Sequence, residues 1–174
     1  MTTIVVGVAD CKIAASAGEE LTTYALGSCI GLAVYDPVAH VGGLLHYMLP
    51  DSSIDPAHGS ENPYKFADTG IPLLLERVRV RGASKRRLIV LVAGAADMLT
   101  GIGGFDIGKR NYLALRKALW KSGLLIHGES VGGNQSRTIR LEIGSGNLWL
   151  QESAGKRELL LAGMKGGHRW HTAS

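Results

Sequence analysis

The chain has 174 residues, a formal net charge of +4, 45% hydrophobic residues and 24 glycines. That length suits one compact domain, and the small positive excess falls short of the basic stripe of a dedicated nucleic-acid binder. Two cysteines exclude a disulfide framework for a domain of this size, and no stretch approaches the roughly 18 apolar residues of a membrane-spanning helix. The opening MTTIVVGVADCK lacks a basic n-region and a small-residue cleavage site, which makes it a poor signal peptide. A reducing, cytoplasmic setting is expected, where a cysteine is more often free, metal-bound or catalytic than bridged.

In chain order, Ile4–Val8 reads as a short strand. Residues 30–35 (IGLAVY) and 41–49 (VGGLLHYML) read as two more, joined by the short Asp-Pro turn DPVAH into a hairpin. Residues 50–62 (PDSSIDPAHGSEN) are polar and rich in turn formers, so they read as a mobile loop. Thr69 is placed to cap a helix running to about Arg79, on which Ile71, Leu74, Leu75 and Val78 form one apolar stripe. A buried strand is expected at residues 87–92 (RLIVLV), then a glycine-rich flexible loop, GAADMLTGIGGFDIG. A second helix spans about Arg110 to Lys121, with Tyr112, Leu115, Leu119 and Trp120 inward. Short strands follow at residues 124–129, 138–142 and 148–151, the last two joined through GSGN, and the tail KGGHRWHTAS reads as disordered. Residues 1–165 therefore read as a single domain, with 166–174 as its tail. About seven mostly antiparallel strands with two main helices make an α/β (α+β-like) layered sandwich rather than a βαβ wheel.

Three features bear on function. Arg77, Arg79, Arg81, Lys85, Arg86 and Arg87 crowd one region, either as a solvated helix end or as a docking surface for an acidic partner. The run GIGGFDIG resembles part of a phosphate loop but makes neither GxxxxGK[ST] nor GxGxxG. The third is Cys29. A tight turn around residues 36–41 makes the numbers of facing residues sum to roughly 75–77. At the lower value Cys29 faces His46 directly, at the upper it faces Met48 with His46 diagonal on the same face, and an even sum separates the pair. A nearby imidazole takes a thiol's proton or stabilises its thiolate. Backbone N–H groups near Gly27 and Ser28 are candidates to hold an oxyanion, and Thr22, Thr23 or Ser28 to orient the imidazole. Read from the residues alone, Cys29 and His46 are equally compatible with a packed core. Cys11, Cys29, His46 and His58 have ligand chemistry but match no metal-binding spacing.

The segments TYALGSCIGLAVYDP and GGLLHYMLP resemble the signature of the CheD family, the chemoreceptor glutamine deamidases of bacterial chemotaxis. The matching positions are Thr23, Gly27-Ser28-Cys29, Asp36, Gly42-Gly43, His46 and Leu49-Pro50. Downstream, YKFADTGIPLLL, AGAADM, IGKRN and VGGNQSRTIRLEIGSGNLWL resemble further family elements in the family's order, so the likeness spans residues 4–152. The resemblance implies a layered sandwich like that of bacterial toxin deamidases. It implies Cys29 as nucleophile, His46 as base and Thr23 as the residue that orients His46. The implied reaction is cofactor-free, metal-free hydrolysis of glutamine side chains to glutamate on the cytoplasmic helices of methyl-accepting chemoreceptors. Methyl-ester hydrolysis is a related family activity, and a CheC-type phosphatase is the family's restraining partner. A monomer, without membrane insertion, is the family default; the alternative is a non-catalytic adaptor that binds the phosphatase or the receptor. Two positions depart from the pattern: Ala25 stands where the family has glycine, which matters if φ is positive there, and Ser136 replaces another glycine.

Overall fold

The computed structural model describes residues 1–97, 106–155 and 157–161. Most of GIGGFDIG and the tail 166–174 lie outside the described residues. Ten strands are described: β1 (Thr2–Val5), β2 (Asp10–Ala14), β3 (Glu19–Leu26), β4 (Ile30–Asp36), β5 (Val41–Tyr47), β6 (Ile89–Gly94), β7 (Gly128–Val131), β8 (Arg137–Glu142), β9 (Leu148–Glu152) and β10 (Arg157–Leu161). They form two five-stranded sheets, ordered β1-β3-β8-β9-β10 and β2-β5-β4-β6-β7. All pairings are antiparallel except β1 with β3 and β6 with β7. Among the described residues the α-helices are α1 (Pro56–Glu61), α2 (Ala67–Val80) and α3 (Ile107–Lys121).

The central sheet is covered on both faces, and its strands read as near-continuous apolar runs for that reason. Every residue of β4, β5 and β6 is buried. Alternate side chains go to opposite faces. Ile30, Leu32, Val34, Leu45 and Tyr47 pack with Ile71, Leu74 and Val78 of α2 and Leu115 and Leu119 of α3. Ala33, Tyr35, Leu44 and Leu91 meet Leu21, Leu26, Ile139 and Leu141 of the other sheet. The result is three layers, helices on sheet on sheet, as the sequence predicts.

Several local expectations are corrected. The first strand ends at Val5, and β2, β3 and β10 are additional. Residues 50–62 are not a plain loop: their turn formers serve as caps. Asp51 accepts from the Ser53 N–H at 2.7 Å, Asp55 caps α1, and Asp68 accepts from the Ser52 N–H at 2.9 Å and its hydroxyl at 2.7 Å. Thr69 is not the cap of α2. The helix starts at Ala67, because Phe66 is held in a bridge with Leu49, and the Thr69 hydroxyl donates to the Pro63 carbonyl at 2.6 Å. Helix α3 starts earlier than expected, at Ile107, capped by Asp106. Trp120 points outward at 81% exposure, since it lies opposite the Leu115–Leu119 stripe. The strand expected at 124–129 begins only at Gly128.

Ala25 adopts a left-handed conformation, φ 55. It lies in a bulge, where the β3–β8 register shifts between Thr23 and Leu26. The extra residue turns the chain into the Gly27-Ser28-Cys29 segment. An alanine there costs about 1–2 kcal/mol relative to a right-handed conformation, and part of the gain from glycine is lost to greater unfolded-state freedom. Ala25→Gly is therefore expected to raise stability by up to about 1 kcal/mol without lowering activity. Urea unfolding checks this; a lowered midpoint at unchanged slope contradicts it.

Candidate active site

The hairpin adopts the odd register, with Ile30 facing Tyr47 and Gly31 facing His46. Cys29, one residue before β4, is thus in line with Met48, and His46 is its diagonal neighbour on the face between the sheets. Thr23 reaches the same space from the opposite sheet. His46 is 1% exposed, Thr23 is fully buried, and Cys29 is half-buried with a free thiol.

The hydrogen bonds assign the imidazole tautomer. The Thr23 hydroxyl donates its single proton to the Val6 carbonyl at 2.7 Å. Its oxygen lies 2.8 Å from His46 Nδ1, so it must accept there, and Nδ1 carries the proton. Nε2 is then a bare lone pair. It is buried and has no hydrogen-bond partner among the described residues. Burial lowers the His46 pKa to about 4, keeping the ring neutral at ordinary pH. Burial raises the Cys29 thiol, against a lowering by its own backbone N–H. The resting pair is a neutral thiol and a neutral imidazole, with no hydrogen bond drawn between them.

The Gly27-Ser28-Cys29 segment is gripped through its carbonyls. Gly27 accepts from the Ala96 N–H at 2.8 Å and Cys29 from the Ala95 N–H at 2.9 Å. The Ser28 carbonyl accepts from Asn111 Nδ2 at 3.0 Å. Gly94 must be glycine here: its φ is +117, and a Cβ would lie 2.1 Å from the Cys29 carbonyl oxygen. Arg137, buried on β8, props the same strand end by donating to the Gly94 carbonyl at 3.3 Å and the Gly132 carbonyl at 2.9 Å.

The four residues with ligand chemistry are not brought together. Cys11 packs on the helix side of the central sheet, Cys29 and His46 lie between the sheets, and exposed His58 bonds Asp55 at 2.6 Å. The basic run is likewise dispersed. Arg77 donates to the Cys11 carbonyl at 2.7 Å, Arg79 pairs with Glu76 at 2.7 Å, and Arg87 pairs with buried Asp36 at 2.8 Å. Asn111 closes the IGKRN element and is no candidate site residue in the sequence. Its signal is that it is the polar side chain on the buried stripe Gly108, Asn111, Leu115, Leu119 of α3.

No helix among the described residues is long and apolar enough to cross a membrane. The family model described as CheD chemotactic sensory transduction matches residues 48–152. The chain is 64% identical over 160 residues to the "Probable chemoreceptor glutamine deamidase CheD" of Solibacter usitatus, covering 92% of this chain and 95% of that one. It is 48% identical over 160 residues to the "Probable chemoreceptor glutamine deamidase CheD 1" of Syntrophus aciditrophicus, covering 91% of this chain and 100% of that one. The "Probable chemoreceptor glutamine deamidase CheD" of Caldanaerobacter subterraneus is 44% identical over 146 residues, covering 82% of this chain and 88% of that one. With a family model over more than half its length and relatives matched nearly end to end, the chain belongs to the CheD family.

Proposed function

We propose that this protein hydrolyses the side-chain amide of glutamine residues in methyl-accepting chemoreceptors, yielding glutamate and ammonia. It acts in the cytoplasm on the receptor's cytoplasmic helices, as a monomer whose residues 1–165 form one deamidase domain, with a CheC-type phosphatase as restraining partner. The observation that carries the reading is the locked tautomer: a bare Nε2 on His46, held by Thr23, on the face shared with Cys29. The names of its relatives supply the substrate class.

In this reading Cys29 Sγ attacks the carboxamide carbon while its proton passes to His46 Nε2. Because both partners rest neutral, the proton moves in step with attack rather than before it. The Cys29 and Ser28 N–H groups receive the oxyanion, with Gly27 leaving room for the substrate's approach. Nε2 then returns the proton to the departing nitrogen, and ammonia leaves a thioester. A water molecule gives its proton to Nε2 and attacks the thioester. Collapse of that intermediate releases glutamate and the thiol. Water is the only co-substrate the reaction consumes.

Ammonia release from a purified receptor cytoplasmic fragment tests the reading. Wild type is expected to release it and Cys29→Ala is not; equal release by both sinks the cysteine mechanism, and binding without release by wild type points to an adaptor.

A further inference from the structure

The β4–β5 ladder ends at the Ile30–Tyr47 pair. It stops one residue short of both Cys29 and Met48, so the ladder does not set the last step between thiol and imidazole. Ala95 and Ala96 tie the nucleophile segment to the β6 side, away from His46. Among the described residues, one side chain ties it to the β5 side. Asn111, fully buried in the second turn of α3, donates from Nδ2 to the Ser28 carbonyl at 3.0 Å and to the Met48 carbonyl at 2.7 Å. Met48 is fixed from its other end by its N–H, which donates to the Lys65 carbonyl at 3.0 Å.

We propose that Asn111 is a positioning residue for the nucleophile, bridging the peptide that precedes Cys29 to the peptide that follows the His46 strand. The inference rests on reading Cys29 and His46 as nucleophile and base. Its chemistry goes beyond spacing. The Ser28 carbonyl and the Cys29 N–H are two ends of one peptide group. A donor on that carbonyl polarises the peptide and strengthens its N–H as a donor. That N–H is the donor that the proposed mechanism turns on the oxyanion. Asn111 thereby acts on both the position of Sγ and the stabilisation of charge beside it. The same residue also anchors α3, since its own carbonyl accepts from the Tyr47 hydroxyl at 2.8 Å.

The test uses the full chain, assayed on a receptor cytoplasmic fragment at temperatures where each variant is folded. Alkylation of Cys29 by iodoacetamide is followed across pH in parallel. Asn111→Ala is expected to lower kcat by about tenfold or more with KM changed less than about twofold, since small misplacements of a reacting group cost this much. Its alkylation profile is expected to move to higher pH. Asn111→Asp keeps the size but presents acceptors to both carbonyls, and gives at least the same loss; it serves where the alanine variant does not fold. Leu119→Ala loosens the same helix two turns away and is the control. It is expected to lower Tm while leaving kcat per folded molecule and the alkylation profile in place. Wild-type kcat and profile in either Asn111 variant overturn the proposal, as do equal changes in Leu119→Ala. An active Cys29→Ala instead removes the reading beneath it; an inactive Cys29→Ala beside a wild-type-like Asn111→Ala sinks this inference alone.

Discussion

His46→Ala is expected to lower kcat by about 100- to 10,000-fold, the range that a positioned general base supplies. The same substitution is expected to change how stability depends on pH. The folded-state pKa of about 4 lies below the ordinary 6.5, so between those values the unfolded chain takes up a proton that the folded chain refuses. Stability is unaffected above pH 6.5 and is lost as pH falls toward 4. The full loss is about 3 kcal/mol by linkage. His46→Ala removes this limb, so the variant is expected to be inactive yet to hold its stability further into acid than wild type. Wild-type kcat/KM is expected to keep its acid limb near pH 4 rather than 6.5, because the neutral ring is the active form. Urea midpoints from pH 7 to pH 4 check the stability arm. Parallel curves for wild type and variant contradict it.

Asp36→Ala is expected to destabilise by about 3 kcal/mol or more, through loss of the acceptor that ties two connections together. The carboxylate is fully buried. It accepts from the Val38 and Ala39 N–H groups of the hairpin turn at 2.9 and 3.1 Å. It also accepts from the Ser84 N–H at 2.7 Å and from Arg87 Nη2 at 2.8 Å, both between α2 and β6. Burial alone would raise its pKa, but the Arg87 guanidinium and the backbone N–H groups outweigh it and hold the carboxyl below the ordinary range. The contribution is present above the ordinary value of 3.8 and is lost as pH falls below it. Wild-type acid unfolding therefore proceeds in two stages: a decline from His46 down to about pH 4, then a further loss from Asp36. Chemical unfolding of the variant at pH 7 checks the magnitude, and a change under 1 kcal/mol, the size of an ordinary surface substitution, contradicts it.

The Cys29–His46 relation was legible because it depends on parity alone. A short Asp-Pro turn between two apolar runs restricts the register, and a period of two then decides the face. Thr23 is different. It enters from the other sheet, and nothing in local periodicity says which strand will cross the central one; the family resemblance supplied it. Strand β3 itself was hidden by its polar residues. Glu20 and Thr22 are buried there and bond each other at 2.8 Å, satisfying groups that read as surface. The segment 50–62 was misread for a related reason. Asp and Ser mark mobile loops and helix caps alike, and the difference lies in Asp68, which takes the Ser52 donors from a distant helix. Ala25 was identified as a departure from glycine, and its φ of 55 gives that departure a physical meaning. Asn111 is hard to read as a site residue because a polar residue in a helix reads as exposed until its position on the apolar stripe is counted.

The most direct test of the account is the mass of a receptor cytoplasmic fragment after incubation with the enzyme, followed by peptide sequencing. Conversion of an amide to a carboxylate through a cysteine thioester adds about 1 Da per glutamine. The account predicts that gain at specific glutamines with wild type and none with Cys29→Ala. An unchanged mass with folded wild type, or the same gain with Cys29→Ala, contradicts it.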